Sequence, residues 1–169
     1  MNEELEAAAA AVSIAEPVSQ EEPRSGEPGG EPCHYCATSD EDAVWSSPRW
    51  RALSRDWSPI PGGTLLISKA HVDTLSELSA EHQAEFGVIA AAIERAIMSL
   101  GQAARVHMYR WGDGCAHFHA HFIARPLGRP QFGWRNLPFL EKRFPSPGAD
   151  ELAKARSVVA ASLAADLPA

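Results

Sequence analysis

No stretch of this 169-residue chain approaches the roughly 18 consecutive apolar residues that cross a bilayer, so no membrane helix is expected. Basic residues are outnumbered, 15 against 22 acidic ones, and a net charge of −7 argues against sequence-independent binding to nucleic acid. A basic leader segment is missing too. Glu3, Glu4 and Glu6 stand there instead, so the run from Ala7 to Val12 does not read as a secretory signal. Cysteines number only three, too few for a disulfide framework. Two of them form Cys33-x-x-Cys36, which suits a reducing, cytoplasmic setting and a metal. Internal repeats are not evident. What remains is 45% hydrophobic, enough for the core of one domain.

The most informative stretch is His117-Phe118-His119-Ala120-His121-Phe122. On a strand, side chains alternate faces, so period two puts all three imidazoles on one face and Phe118, Ala120 and Phe122 on the other. On a helix the same histidines would spread over roughly 200° of the circumference. Three exposed surface histidines, or an expression tag, would not carry this alternating apolar face.

Residues 1–31, rich in Glu, Pro and Gly, read as a disordered tail that cannot offset its ordering entropy. Order is expected from Pro32 onward. Cys33-His34-Tyr35-Cys36 forms a knuckle that brings two thiolates into one zinc sphere; His34 inside it is expected to be exposed. A thioredoxin-type pair is the competing reading, but that pair opens a helix after a strand, whereas this one is followed by the polar run Thr38 to Asp42. Short strands are predicted at Ala43–Trp45 and Trp50–Ser54, and a buried one at Thr64–Ser68. Between them, Asp56 to Gly63 is a loop. Ser79 is a predicted N-cap for a long helix from Ala80 to Leu100, with its stripe on Phe86, Ile89, Ala90, Ile93, Ile97 and Leu100. Arg105–Tyr109 is a further strand, and Ala149–Leu163 a final helix. An aromatic arm, Phe132 to Phe144, is expected to fold over the core or a partner subunit, which makes a homodimer plausible.

The histidines cannot share one role. Cys33 and Cys36 supply two zinc ligands; His71 at a strand end and His117 at the head of the row are sensible partners, making a structural site that staples the knuckle to the sheet. His119 is then free to attack phosphorus and carry a nucleotidyl group, with His121 hydrogen-bonding a phosphoryl oxygen or the leaving atom. The turn Gly112-Asp113-Gly114-Cys115 can bring backbone N–H groups to an anion, chiefly at Gly112 and Gly114. Asp56 is a candidate for a ribose and Trp57 for a base. Two other readings stand beside this one: a zinc-stabilised nucleotide-binding module with little turnover, and a zinc enzyme whose metal is held by His117, His119 and His121 together.

The row His117 to Ile123 resembles the signature of the histidine-triad (HIT) superfamily, H-φ-H-φ-H-φ-φ with φ apolar, and Ala124-Arg125-Pro126 resembles its continuation. Pro61 to His71, with Leu75 and Leu78, is similar to the lead-in of galactose-1-phosphate uridylyltransferases and their relatives. The likeness covers about residues 32–126, leaving 127–169 as arm and helix. It implies an α+β fold with about a five-stranded antiparallel sheet, often dimeric. It implies hydrolysis or transfer of a nucleoside monophosphate from a phosphoramidate, dinucleoside polyphosphate or related conjugate. It implies His119 as nucleophile, Asp56 as ribose-binding acid, and zinc on Cys33, Cys36, His71 and His117. Uridylyltransferases have glutamine where His121 stands, so the hydrolase branch is the closer fit. Three departures stand out. Gly63 replaces a frequent histidine, Gly112-Asp113-Gly114 replaces Gly-Gln-Ser/Thr, and the usual upstream asparagine is not visible among Val106 to Arg110, where Arg110 offers a compensating positive charge.

Overall fold

Alternating apolar positions, punctuated by Pro and Gly, give five strands and two helices in the computed structural model, which describes residues 20–56, 58–130 and 147–168. The strands are β1 (Trp45–Ser46), β2 (Trp50–Ser54), β3 (Thr64–Ser68), β4 (Ala103–Tyr109) and β5 (His119–Pro126). The helices are α1 (Ala80–Ser99) and α2 (Ala149–Asp166). The strands form one antiparallel sheet in the order β1-β2-β3-β5-β4. This is the expected α+β architecture, with one long helix and a C-terminal helix. Among the described residues no helix is long and apolar enough to cross a membrane. Trp57, the aromatic arm and residues 1–19 lie outside the described residues.

Register sorts the side chains onto two faces, because directly paired residues share a face. Trp50, Ala52, Leu66, Phe118, Ala120, Phe122 and Ala124 are all buried and join the main core with Ile89, Ala92, Ile93, Ala96 and Ile97 of α1. Trp50, Phe86 and Phe118 meet edge to face or tilted at 5.6–5.8 Å, a favourable arrangement for ring quadrupoles. Ala155, Val159 and Leu163 are the buried positions of α2, spaced by four as one face of a helix requires. Arg95 of α1 pairs with Asp166 of α2 at 2.9 Å.

The other face carries two rows across the sheet. One runs Arg51, Ile67, His119; the next runs Leu53, Leu65, His121, Tyr109. The triad therefore lies on the side of the sheet away from α1.

Boundaries differ from the sequence reading where local hydrogen bonds compete. The first strand starts at Trp45 rather than Ala43, because Ser39 caps a short turn over Asp40–Asp42 and Ala43 closes it. β4 begins at Ala103 and α2 runs on to Asp166. α1 starts where predicted: Ser79 Oγ accepts from the His82 N–H.

The expected tail is a larger difference. Residues 24–31 form a turn, closed by Gly26 N–H to Glu31 O (2.7 Å), that docks on the domain. Ser25 bridges to Cys115, and the Ala116 N–H donates to Ser25 O at 2.9 Å. Arg24 pairs with Glu27 and Asp73 and donates to Gly112 O. Composition alone argued for disorder here, but specific polar contacts with distant loops supply what the segment's own residues lack.

Candidate active site and metal centre

The knuckle, the end of β3 and the head of the histidine row converge. The ligand atoms of Cys33, Cys36, His71 and His117 all lie within 4.8 Å of one another, and among the described residues this is the group found fit to hold a metal ion. His117 Nδ1 is 3.2 Å from Cys33 Sγ and 3.5 Å from Cys36 Sγ; His71 Nδ1 is 3.1 Å from Cys36 Sγ. Each ring uses its other nitrogen on a carbonyl: His117 Nε2–H donates to Ser68 O (2.8 Å) and His71 Nε2–H to Gly26 O (3.1 Å). That second bond fixes the tautomer and aims the Nδ1 lone pair at the thiols, as metal-ligating imidazoles require. The donor set therefore fits a tetrahedral sulfur–nitrogen site of the zinc type.

Gly26 is part of this arrangement. Its φ is +90°, and a Cβ there would stand 2.8 Å from His71 Cε1, so only glycine brings the carbonyl so close. Sequence reading missed this residue because it sat in the segment assigned to the tail. Cys115 was also missed; buried, its Sγ lies 3.7 Å from Cys33 Sγ. His34 is exposed, as expected.

His117 precedes the regular part of β5. The Phe118 N–H donates to Val72 O, and Phe118 O accepts from the Ser68 N–H. This crossing hands His117 to the metal set and leaves the next two histidines along the sheet.

His119 is 7% exposed, yet it does not belong to the main core. Its Nδ1–H donates to its own strand's His117 O at 2.6 Å. The Nε2 atom is therefore the one with the lone pair. Burial, with Arg110 and His34 nearby, holds its pKa below the ordinary 6.5, so the ring is neutral at pH 7. Tyr35 of the knuckle lies over it, centroids 4.8 Å apart, and burial first of all pushes that phenol up to about 12. The knuckle thus joins the metal group to the nucleophile candidate.

His121 lies 5.3 Å from His119, the rings at 84°. Burial, then Arg55, then His119 drive its pKa down to about 3, which leaves it a neutral imidazole. Its other neighbour is Tyr109, stacked at 5.0 Å and 12°.

Arg55 is a residue the sequence reading passed over. Arg51, Leu53 and Arg55 follow period two onto the triad face, and the Arg55 N–H continues the ladder to Gly63 O. Its side chain is 6% exposed. A Cβ on Gly63 would stand 3.3 Å from Arg55 Cβ, so the glycine that departs from the family pattern makes room for this arginine. Alternation through Leu53 was the available signal.

Asp56 is not brought to the triad by its contacts. Exposed at the end of β2, its carboxylate accepts from Ser54 Oγ (2.5 Å) and pairs with Arg156 of α2 at 3.3 Å. Asp56 lies in the turn after β2, and these contacts hold its carboxylate toward α2. Arg110, expected to offer a compensating positive charge, is engaged within the protein. Its guanidinium is held by the Asp73 carboxylate at 2.7 Å and by the Asp73 carbonyl, and lies over the Phe118 ring at 5.5 Å. Asp73 thereby neutralises much of the charge. Gly112 has φ +79° and uses its carbonyl to accept from Arg24 at 2.9 Å; Gly114 is exposed.

No protein-family model and no curated relative matches the chain. Solved structures do. A histidine triad protein of Bradyrhizobium japonicum aligns over 72% of this chain and 91% of its own, with a TM-score of 0.60 and 18% identity. A zinc-bound histidine triad family protein of Mycobacterium smegmatis aligns over 78% and 92%, at 0.55 and 19%. A hypothetical histidine triad nucleotide-binding protein of Sulfolobus tokodaii aligns over 73% and 84%, at 0.50 and 17%. The chain has the histidine-triad fold.

Proposed function

We propose that the protein hydrolyses or transfers a nucleoside monophosphate through a covalent intermediate on His119, with zinc held structurally by Cys33, Cys36, His71 and His117. The observation that carries this reading is the 2.6 Å bond from His119 Nδ1–H to His117 O, which leaves Nε2 as a neutral nucleophile and supports the positive ring formed on attack. Nε2 bonds to phosphorus as the P–N or P–O bond to the leaving group breaks, a departing amine leaving with a proton taken up from solvent at its nitrogen. Neutral His121 hydrogen-bonds the departing atom. Water or another acceptor then takes the nucleotidyl group and frees the ring. Arg55, buried on the same face, supplies positive charge for the phosphoryl oxygens in place of the missing Gln and Ser.

Zinc would tie the knuckle, and so Tyr35, to the sheet. A zinc-bound structural neighbour and one named as nucleotide-binding support the coarser reading of a zinc-type metal and a nucleotide ligand. A three-histidine metal site is disfavoured, because His117 sits with the thiols while His119 spends Nδ1 on a carbonyl. A cytoplasmic homodimer completes the proposal; the thiols are unpaired in disulfides and β4 is an edge strand with exposed Met108.

The test is rapid-quench mass spectrometry with adenosine 5′-phosphoramidate. An adenylyl adduct on His119, absent from His119→Ala, is expected. Turnover unchanged in His119→Ala would remove the nucleophile from the mechanism. Binding without any adduct or turnover would leave the nucleotide-binding module.

A further inference from the structure

The side of the triad toward β4 is built of rings. His121 stacks on Tyr109, and Tyr109 in turn meets Trp111 at 5.0 Å and 37°. Trp111 is 57% exposed, whereas the same row on the other side of His121 continues into aliphatic Leu65 and Leu53. The column begins at the group next to the nucleophile and ends on an indole face open to solvent.

That indole is not on a loose loop. Its neighbour Arg110 is held by Asp73 at 2.7 Å, and its other neighbour Gly112 accepts from Arg24 Nη1 at 2.9 Å. Arg24 also pairs with Asp73 at 2.7 Å. One carboxylate thus clamps the chain on both sides of Trp111. The φ of +79° at Gly112 sets the turn, and a Cβ there would press on Arg110 at 3.1 Å. A ring held in place before its partner arrives loses little entropy on stacking.

We propose that Trp111, seated on Tyr109, is the subsite for an aromatic ring in the leaving group: an aryl-bearing amine or a second nucleobase. This rests on the reading of His119 as nucleophile. In phosphoryl transfer the attacking and leaving atoms lie roughly in line, so the leaving group departs away from His119. His121, at 5.3 Å from His119, is the next histidine along β5, and across the sheet its ring stacks on Tyr109, which carries Trp111. Stacking accepts any ring with a π-face, so the subsite selects aromatic over aliphatic groups without naming one base.

The test compares matched conjugates on the full-length, metal-loaded protein. Adenosine 5′-phosphoramidates of tryptamine and of n-hexylamine form one pair; diadenosine tetraphosphate and adenosine 5′-tetraphosphate form the second, separating an amine source from a nucleotide source. The kcat/KM ratio within at least one pair is expected to favour the ring by about tenfold. It should fall to near one in Trp111→Ala and stay intermediate in Trp111→Phe, with the melting temperature unmoved. Dissociation constants by calorimetry in a His119→Ala background should show the same ratios. They need no turnover, so failure of the covalent reading is distinguishable from failure of this one. A ratio that survives Trp111→Ala, or a ratio near one in the unaltered protein for both pairs, overturns the subsite.

Discussion

The two faces of the sheet are built from the same strands by different physics. Toward α1, Trp50, Leu66, Phe118 and Phe122 are packed into an apolar core whose stability grows with area removed from water. Toward the triad, burial is just as deep at His117 and His119, but the buried atoms are polar and each ring is held by a directed bond to a carbonyl. The first face tolerates any well-fitting hydrophobe. The second works only if particular nitrogens point in particular directions. Stability should therefore be read mainly from the first face and chemistry from the second.

The sharpest way to separate the faces is His119→Ala. Turnover should fall by at least about 10^4-fold while the melting temperature stays within a few degrees; quench-flow kinetics and calorimetry of one preparation check both. The reverse substitution is Trp50→Ala, a ring with 0% exposure. A loss of about 3–5 kcal/mol in denaturant unfolding is expected, with activity per folded molecule retained.

Metal removal tests whether the triad face has a staple of its own. Chelation or Cys36→Ser should lower the melting temperature by about 10 °C or more, and lower kcat per folded molecule much less. Activity lost at unchanged stability would point to a catalytic metal instead. Cys115→Ser, which leaves the four donors in place, should keep its zinc on elemental analysis.

The pH dependence should be milder. The folded-state pKa of His121 is depressed from 6.5 to about 3, so the unfolded chain binds a proton that the folded one refuses. Stability from this group is fully present above pH 6.5 and drains away as pH falls toward 3. Denaturant midpoints measured across that window should fall with pH in the native protein and fall less in His121→Asn, which takes up no proton at that position. The smallest effect expected is that of Arg24→Ala, about 1 kcal/mol, given the partly exposed pair it forms with Asp73.

What could be read from residues alone follows from periodicity. Period two in His117 to Phe122 put the apolar side on the core and the imidazoles opposite, and the Ser79 cap with its stripe gave α1 its start. The grouping of Cys33, Cys36, His71 and His117 was legible because the C-x-x-C spacing is local and two histidines remained for it. The contacts of Arg55 and Asp56 were not. Arg55 extends the β2–β3 ladder through its N–H to Gly63 O, and Asp56 in the turn beyond pairs with Arg156 of α2; both depend on partners distant in the chain. Residues 24–31 were misjudged for a related reason. Composition measures what a segment can bury by itself, and Arg24 and Gly26 are held by Asp73, Gly112 and His71, which lie far along the chain.

The sequence alone determined the alternation, the caps and the ligand types, since each depends on neighbours within a few residues. Tertiary structure decided which nitrogen of each histidine is free, which cation meets the triad and where the aromatic column ends. Those are matters of direction, and direction is set only when distant carbonyls, loops and strands close around a side chain.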